Sequence, residues 1–309
     1  MPVQRWYVRR FGGSWHGRYR VVVDGGRELL VSLDERDGQG LSVYFSPVYE
    51  RGTTAVVRWL LQPGDAFVDV GANLGWYATL ARDLVGVDGQ VCAFEPHPVA
   101  FRDLELNLTD DRLGISARQL AIGRKDGSAL LVTDEGDSID QSFITTHGRQ
   151  GGHRVEVQPL DTALAALLEG RPPRCTVVKV DVEGTETDVV AGARRVITTL
   201  RPIWLIECNP AAAARSGHRA SDPFRALEGE GYDRFYAVDM RRNPARWAFP
   251  VVEALRPGKT TRVRGVEPTE LDGAPEDYLE NIACLSSRHH HEAVAELDRH
   301  TTWRSVVMR

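Results

Sequence analysis

The 309-residue sequence is poor in lysine and has no long apolar run. Lysine occurs only as Lys125, Lys179 and Lys259, so arginine carries nearly all of the positive charge. No stretch approaches the roughly 20 apolar residues that a membrane-spanning helix needs. The first residues also lack the apolar core of a signal peptide. We therefore expect a cytoplasmic protein with no membrane partner.

Cysteine and excess positive charge are scarce as well. The four cysteines, at positions 92, 175, 208 and 284, have no metal-ligand spacing, and free buried thiols suit a reducing compartment. The formal net charge of -5 argues against a nucleic-acid partner. A chain of this length forms one large domain or one domain with elaborations.

The pyrophosphate-binding pattern G-x-G-x-x-G is missing too, and a different turn stands in its place. The apolar run 66–70 carries Asp69 and breaks into Gly71 and Gly75 before a helical pattern over 76–85. A second apolar run ends at Glu95, as in a nucleotide-binding βαβ unit. Asp69 would repel a phosphate and suits a cationic ligand group, such as the amino-acid end of S-adenosylmethionine. Glu95 can accept hydrogen bonds from a ribose diol.

A second group of charged residues follows the apolar strand predicted at 175–180. Lys179 and Asp181 alternate onto one face of this strand, and Glu183 lies in the turn beyond it. Ligands of open parallel sheets bind outside the carboxyl ends of the strands, so these groups should converge beside the ligand. Buried charges need partners, which favours a Lys179–carboxylate pair with one acid left for function. A purely structural ion pair with a helix cap is the alternative.

Outside these two regions the sequence is less informative. Residues 1–48 predict a small β cap with a hairpin turning at 24–26, serving either as a lid or as an edge extension. A helix is expected from about 46 to 61 and another from 185 to 200. The polar stretch 134–152 is either a functional loop or a variable surface loop. Residues 240–276 look like an insertion, and 288–309 like a helical, solvated tail with three consecutive histidines.

The chain resembles the FkbM-type S-adenosylmethionine-dependent methyltransferases. The resemblance lies in P-G-D-A-F-V-D-V-G-A-N-L-G-W-Y at 63–77, A-F-E-P at 93–96 and V-V-K-V-D-V-E-G-T-E at 177–186, with R-P-I-W-L-I-E at 201–207. Shorter matches are N-L at 107–108, A-I-G at 121–123 and L-D at 160–161. It implies a Rossmann-like class I fold over 49–287. That fold is a mostly parallel seven-stranded sheet with a reversed final strand, flanked by helices, behind the N-terminal β-hairpin cap.

The resemblance also implies a cofactor and a substrate class. S-adenosylmethionine would be bound by a set of residues around the glycine turn and the second strand: Asp69, Gly71, Asn73, Gly75, Tyr77, Glu95, Pro96, Leu120 and Ala121. The methyl acceptor would be a hydroxyl of a small molecule, either a secondary metabolite or a sugar. The sequence leaves a homodimer open.

The expected reaction is an in-line displacement of the sulfonium methyl by a substrate oxygen. Asp181 is the first candidate for the base or substrate orienter, with Glu183 and Glu207 as second choices. Lys179 would position these carboxylates. Carboxylates suit Mg²⁺, but the acids have no ligand-spacing signature, so no metal is expected.

Two rival functions remain at this stage. A nicotinamide-dependent oxidoreductase would use the same kind of sheet, although the missing G-x-G-x-x-G and the acid at Asp69 count against it. A non-catalytic methyltransferase fold that only binds a ligand is the second rival, and the intact motif residues count against degeneration. A nucleic-acid methyltransferase is weaker still, because of the acidic charge balance.

Overall fold

The computed structural model describes most of the chain, in nine segments. Among the described residues no helix has both the length and the apolarity to cross a membrane. The described residues are 17–33, 38–46, 48–108, 114–132, 143–145, 152–169, 173–238, 263–274 and 280–301.

The N-terminal part is a hairpin followed by two helices. Strands β1 (Arg18–Val22) and β2 (Glu28–Ser32) pair antiparallel across a 3-10 turn at Asp24–Gly26. Helix α1 (Gly38–Phe45) lies where the sequence predicted only a β cap, so the cap is not wholly β. Helix α2 (Arg51–Leu60) begins later than the predicted residue 46, because Glu50 has a left-handed backbone with φ of 40°.

Strands and helices alternate from residue 66 onward, as the sequence rhythm predicted. The first half of this region contains β3 (Ala66–Val70), α3 (Trp76–Val85), β4 (Gln90–Phe94), α4 (Pro98–Asn107), β5 (Ile115–Arg118), β6 (Ala121–Ile122), β7 (Gly127–Val132), β8 (Phe143–Thr145), β9 (His153–Gln158), α5 (Leu160–Ala163), α6 (Ala165–Glu169) and β10 (Thr176–Val180). Strand β8 falls inside the stretch 134–152 that was predicted as a loop; the rest of that stretch, apart from Gly152, lies outside the described residues.

The second half continues with α7 (Glu186–Ala191), α8 (Arg194–Leu200), β11 (Ile203–Cys208), α9 (Pro210–Arg215), α10 (Asp222–Gly229), β12 (Arg234–Val238), β13 (Val263–Gly265), a 3-10 helix (Pro268–Gly273), β14 (Glu280–Leu285) and α11 (His291–His300). The single helix predicted over 185–200 is broken at Gly192. A Cβ there would lie 2.0 Å from the Gly123 carbonyl oxygen. The Asp161 carboxylate then caps α8 by accepting from the N–H groups of Arg195 and Val196.

The main sheet has the strand order expected of the class I methyltransferase fold. Its order is β13-β12-β14-β11-β10-β3-β4-β5, and β14 is the reversed strand, antiparallel to both of its neighbours. The sheet has eight strands rather than the predicted seven, because β13 from the predicted insertion pairs antiparallel with the otherwise free edge of β12. Most of the insertion, 239–262, is not described. A second, four-stranded sheet, β6-β9-β7-β8, was not predicted.

The central strands are buried on both faces, and their alternate residues feed two separate cores. Phe67, Val177 and Leu205 belong to the core under α2 and α3. The residues that follow Phe67 and Val177, together with Ile206, belong to the core under α7, α8 and α10. This double burial is typical of parallel strands covered by helices on both faces. It leaves the carboxyl edge of the sheet as the place where polar side chains can gather.

The C-terminal helix is packed, so the predicted solvated tail is wrong. Leu297 is completely buried. The His290 ring accepts from the Ser286 N–H and lies 2.6 Å from the Arg201 carbonyl oxygen, and burial lowers the pKa of His290. At the other end of the helix the His300 ring stacks on Trp59 at 3.8 Å. Apolar residues at helical spacing hold this segment against α2.

We expect Leu297→Ala to destabilise the protein by about 2–5 kcal/mol, because it deletes a completely buried side chain and leaves a cavity. Denaturant unfolding followed by circular dichroism measures the loss. His291→Ala, at an exposed position of the same helix, is the matched control and should change stability by less than about 0.5 kcal/mol. Equal stability of Leu297→Ala and the wild type would show that the helix does not dock as described.

Candidate active site

Polar side chains line one face of the main sheet near its carboxyl edge. Strand register places Asp69 opposite Lys179 and Glu207 opposite Asn281. Lys179 is also in register with Leu205, two residues before Glu207, so all four polar side chains lie on the same face. Each is at most 6 % exposed. We call Asp69, Lys179, Glu207 and Asn281 the polar row.

The glycine turn packs directly against the end of β10. Gly71 has φ of 84°, and a Cβ on it would come within 1.8 Å of the Asp181 carbonyl oxygen. The Asp181 N–H in turn donates to the Val70 carbonyl at 3.0 Å. Glycine at 71 is therefore required for close packing within the chain, and not only for approach to a ligand. Gly75 and Asn73 also have positive φ, at 93° and 48°.

Asp69 is a buried carboxylate without a hydrogen-bond partner. It is 1 % exposed, and neither of its oxygens accepts a hydrogen bond of normal geometry from the described residues. The Ala78 N–H is close enough to favour the ionised form slightly. Burial nevertheless raises the pKa of Asp69 to about 6, against the attraction of Lys179. Such a group is chemically suited to a cationic partner.

Glu95 is fixed in place by backbone donors. Its Oε2 accepts from the Asn73 N–H at 2.8 Å and its Oε1 from the His97 N–H at 2.7 Å. Burial raises the pKa of Glu95 to about 7, although both hydrogen bonds favour the carboxylate. A carboxylate oxygen has two acceptor sites, so each oxygen can still accept one further hydrogen bond.

The predicted adenine region lies beyond β4 and β5. Leu120 and Ala121 are buried there, and Gln119 donates from its side chain to the Pro96 carbonyl at 3.4 Å. His97, which the sequence did not single out, accepts from the N–H groups at the start of α4. Its ring meets His153 edge-on at 5.4 Å, and burial lowers its pKa to about 4. His97 is therefore neutral at pH 7.

Lys179 makes the ion pair that the sequence predicted. Its Nζ lies 2.9 Å from Oδ2 of Asp181 and 4.8 Å above the Tyr77 ring. Desolvation works against the ammonium, but Asp181, Glu50 and Asp69 together raise the pKa of Lys179 above its ordinary value. Lys179 is thus a permanent cation and cannot act as a base at neutral pH.

Glu50 is a member of this cluster that the sequence did not reveal. Its Oε2 accepts from the Tyr77 hydroxyl at 2.6 Å, and desolvation raises its pKa in spite of the nearby Lys179. No local pattern around Glu50 could have shown this, because the contact forms only when the start of α2 packs on α3. The same contact places Tyr77 beside Lys179 and Glu50.

Three acids come together at the ends of β10 and β11. Asp181, Glu183 and Glu207 each offer one carboxylate oxygen, and these atoms lie within 4.8 Å of one another. Glu183 has a left-handed backbone with φ of 55°. The turn around it is held by Glu186, whose Oε1 accepts from the N–H groups of Val182 and Gly184. We call Asp181, Glu183 and Glu207 the acid triad.

The structure thus brings together most of the predicted site residues. Asp69, Lys179 and the acid triad form one electrostatically coupled group, in which Asp69 and Glu207 both respond to Asp181. Glu95 lies across the glycine turn from this group. Pro96, Leu120 and Ala121 lie on its far side.

Comparison with known proteins points in the same direction. Residues 69–234, more than half of the chain, match the Methyltransferase FkbM domain. Hexuronic acid methyltransferase AglP of Haloferax volcanii is 34% identical over 151 residues, which are 46% of this chain and 56% of that protein. The 31-O-demethyl-FK506 methyltransferase FkbM of Streptomyces tacrolimicus is 30% identical over 161 residues, 43% of this chain and 60% of that protein.

The chain spans less than two thirds of these relatives. A solved structure of methyltransferase FkbM from Methylobacillus flagellatus superposes with a TM-score of 0.36 and 16% identity, covering 63% of this chain and 49% of that chain. The matched segment 69–234 runs from Asp69 through the glycine turn, Glu95 and the acid triad to the start of β12. On that match, the chain belongs to the FkbM methyltransferase family.

Proposed function

We propose that the chain transfers a methyl group from S-adenosylmethionine to a hydroxyl oxygen of a small molecule. The observation that carries this proposal is the pair of carboxylates on either side of the glycine turn. Asp69 has two buried oxygens without hydrogen-bond partners in the described chain, and Glu95 is oriented by two backbone N–H groups. One suits an ammonium group and the other a ribose diol.

The residues present fit the cofactor. S-adenosylmethionine supplies an electrophilic methyl group on a sulfonium, and its amino-acid end carries an ammonium. Asp69 would accept from that ammonium, and the backbone of the turn would line the same end. Glu95 would accept from the ribose hydroxyls, with the adenine near the buried Leu120 and Ala121. The residues proposed for the cofactor are Asp69, Gly71, Asn73, Gly75, Tyr77, Glu95, Pro96, Leu120 and Ala121.

The acceptor hydroxyl needs orientation and a place for its proton. Lys179 binds Oδ2 of Asp181, which leaves Oδ1 to take the proton as the oxygen–methyl bond forms. A positioned base contributes about 10²–10⁴-fold, and holding the reacting groups in line lowers the barrier by about 7–11 kcal/mol. Glu183 and Glu207 are the second choices for this base.

An oxygen-rich small molecule is the acceptor class that we favour. Two relatives have names that specify a hexuronic acid and 31-O-demethyl-FK506, which supports a hydroxyl acceptor on a sugar or a secondary metabolite. Neither a nucleic-acid partner nor a membrane partner is part of the proposal. A cytoplasmic location and a homodimer remain predictions from the sequence.

We expect S-adenosylmethionine affinity to fall as the pH drops from 7.5 to 5. The ligand favours ionised Asp69 and Glu95, whose pKa values in the free protein are about 6 and about 7, so binding releases protons. The slope of log Kd against pH should approach about two protons in the wild type and about one in Asp69→Asn. Asp69→Asn should also bind about 10- to 100-fold more weakly at pH 7.5.

Isothermal titration calorimetry in buffers of different ionisation enthalpy measures both quantities. Asp126→Asn removes the same charge at an exposed turn and should behave as the wild type. A pH-independent Kd, or the same slope in Asp69→Asn as in the wild type, would contradict the placement of the ammonium at Asp69.

We expect Asp181→Asn to lower the rate of methyl transfer by about 10²–10⁴-fold while cofactor affinity changes little, because the base is lost and the turn remains. The assay incubates the protein with a pool of hydroxylated metabolites and follows a one-methyl mass gain by mass spectrometry. Asp126→Asn is again the control. An Asp181→Asn variant with full activity would remove Asp181 from the proposed role.

A further inference from the structure

The acid triad has more negative charge than the described side chains around it neutralise. Asp181 follows β10, Glu183 stands two residues later, and Glu207 lies near the end of the neighbouring parallel strand β11. Their three oxygens within 4.8 Å of one another form a compact group. Carboxylates so close together repel one another, and in a buried place that repulsion is weakly screened.

Glu207 is the member whose environment points to a ligand. It is 6 % exposed, and its Oε2 has no hydrogen-bond partner in the described part of the chain. Across the strand pair, completely buried Asn281 donates from Nδ2 to the Thr53 hydroxyl, while its Oδ1 likewise lacks a partner among the residues described. Two buried oxygen donors therefore stand side by side at the triad. Burying such groups without a partner is costly.

The nearby cations are directed elsewhere. Lys179 contacts Oδ2 of Asp181 and is shared electrostatically with Glu50 and Asp69. Arg215 comes no closer than 3.8 Å to Glu183 and is 42% exposed. Within the described ranges neither of them forms an ion pair with Glu207. An additional positive charge is what this arrangement lacks.

We propose that Asp181, Glu183 and Glu207 bind a divalent cation that prefers oxygen ligands, of the Mg²⁺ class. A single ion can contact all three oxygens, because metal–oxygen distances of about 2.0–2.6 Å span a ligand separation of up to about 5 Å. Three carboxylates without sulfur or nitrogen donors select such a hard ion. This reverses the expectation from the sequence, in which the acids showed no ligand spacing.

The cation would also refine the chemistry at the site. Its binding does not depend on the proposed function; only its role in methyl transfer does. Bound to the triad, the ion would hold the acceptor hydroxyl as a further ligand and favour loss of its proton. Asp181 would then orient the acceptor through the ion instead of taking the proton itself. A protonated Glu207, or a triad that binds only an ammonium group, are the competing explanations.

Metal binding is tested on the full-length chain stripped with a chelator, without cofactor or acceptor. Mn²⁺ is titrated and followed by electron paramagnetic resonance, and Mg²⁺ competition is measured in the same samples. We expect one ion per chain, displaced by Mg²⁺, and at least a tenfold weaker affinity in Glu207→Gln and in Asp181→Asn. Glu228→Gln removes one carboxylate from an exposed helix position and should bind as the wild type.

Thermal unfolding supplies a second measurement that does not rely on one variant. Mg²⁺ should raise the Tm of the wild type and of Glu228→Gln but leave Glu207→Gln unchanged. In chelator, Glu207→Gln should be at least as stable as the wild type, because it removes a buried acid whose pKa burial raises well above its ordinary value. If Glu207→Gln does not fold, Glu183→Gln takes its place.

The proposal is overturned if binding does not saturate at millimolar Mn²⁺, or if Glu207→Gln binds as tightly as the wild type. Saturable binding of a monovalent ammonium probe but not of Mn²⁺ would also overturn it, in favour of an amine site. A parallel titration with S-adenosylmethionine separates this failure from failure of the proposed function, because cofactor affinity does not require the ion.

Discussion

The ammonium of Lys179 holds the site together electrostatically. It is 2 % exposed, in contact with Asp181 and close enough to Glu50 and Asp69 that all three raise its pKa. Buried acids at this density would otherwise lose their charges to protonation. Removing the ammonium would leave several carboxylates uncompensated, which is far costlier than breaking an exposed ion pair. The proposed cofactor and acceptor sites both depend on this one cation.

Close backbone packing makes the two sites mechanically one. Gly71 lies against the Asp181 carbonyl, and Gly184 lies against the Ala212 carbonyl, so neither position has room for a Cβ. The first contact joins the glycine turn to the acid triad, and the second joins the triad turn to α9. A displacement of the turn by a bound ligand would therefore be transmitted to Asp181. Such coupling suits a reaction that needs two substrates aligned.

Residues that act through local pattern were predictable from the sequence. Asp69, Glu95 and the Lys179–Asp181 pair follow from strand periodicity and from the rule that parallel strands present ligands at their carboxyl ends. Asn281 and Glu50 were not predictable, because their partners lie 228 and 27 residues away in the chain. The break at Gly192 and the packed C-terminal helix were missed for the same reason: each is imposed by a tertiary contact that no short window contains.

The most direct test of the account is a crystal structure of the full-length chain grown with S-adenosylmethionine and NAD⁺ both present at equal concentration. The account predicts S-adenosylmethionine or its demethylated product alone at the glycine turn, with the ammonium on Asp69 and the ribose hydroxyls on Glu95. A dinucleotide at the turn, or S-adenosylmethionine bound away from these two carboxylates, would contradict it.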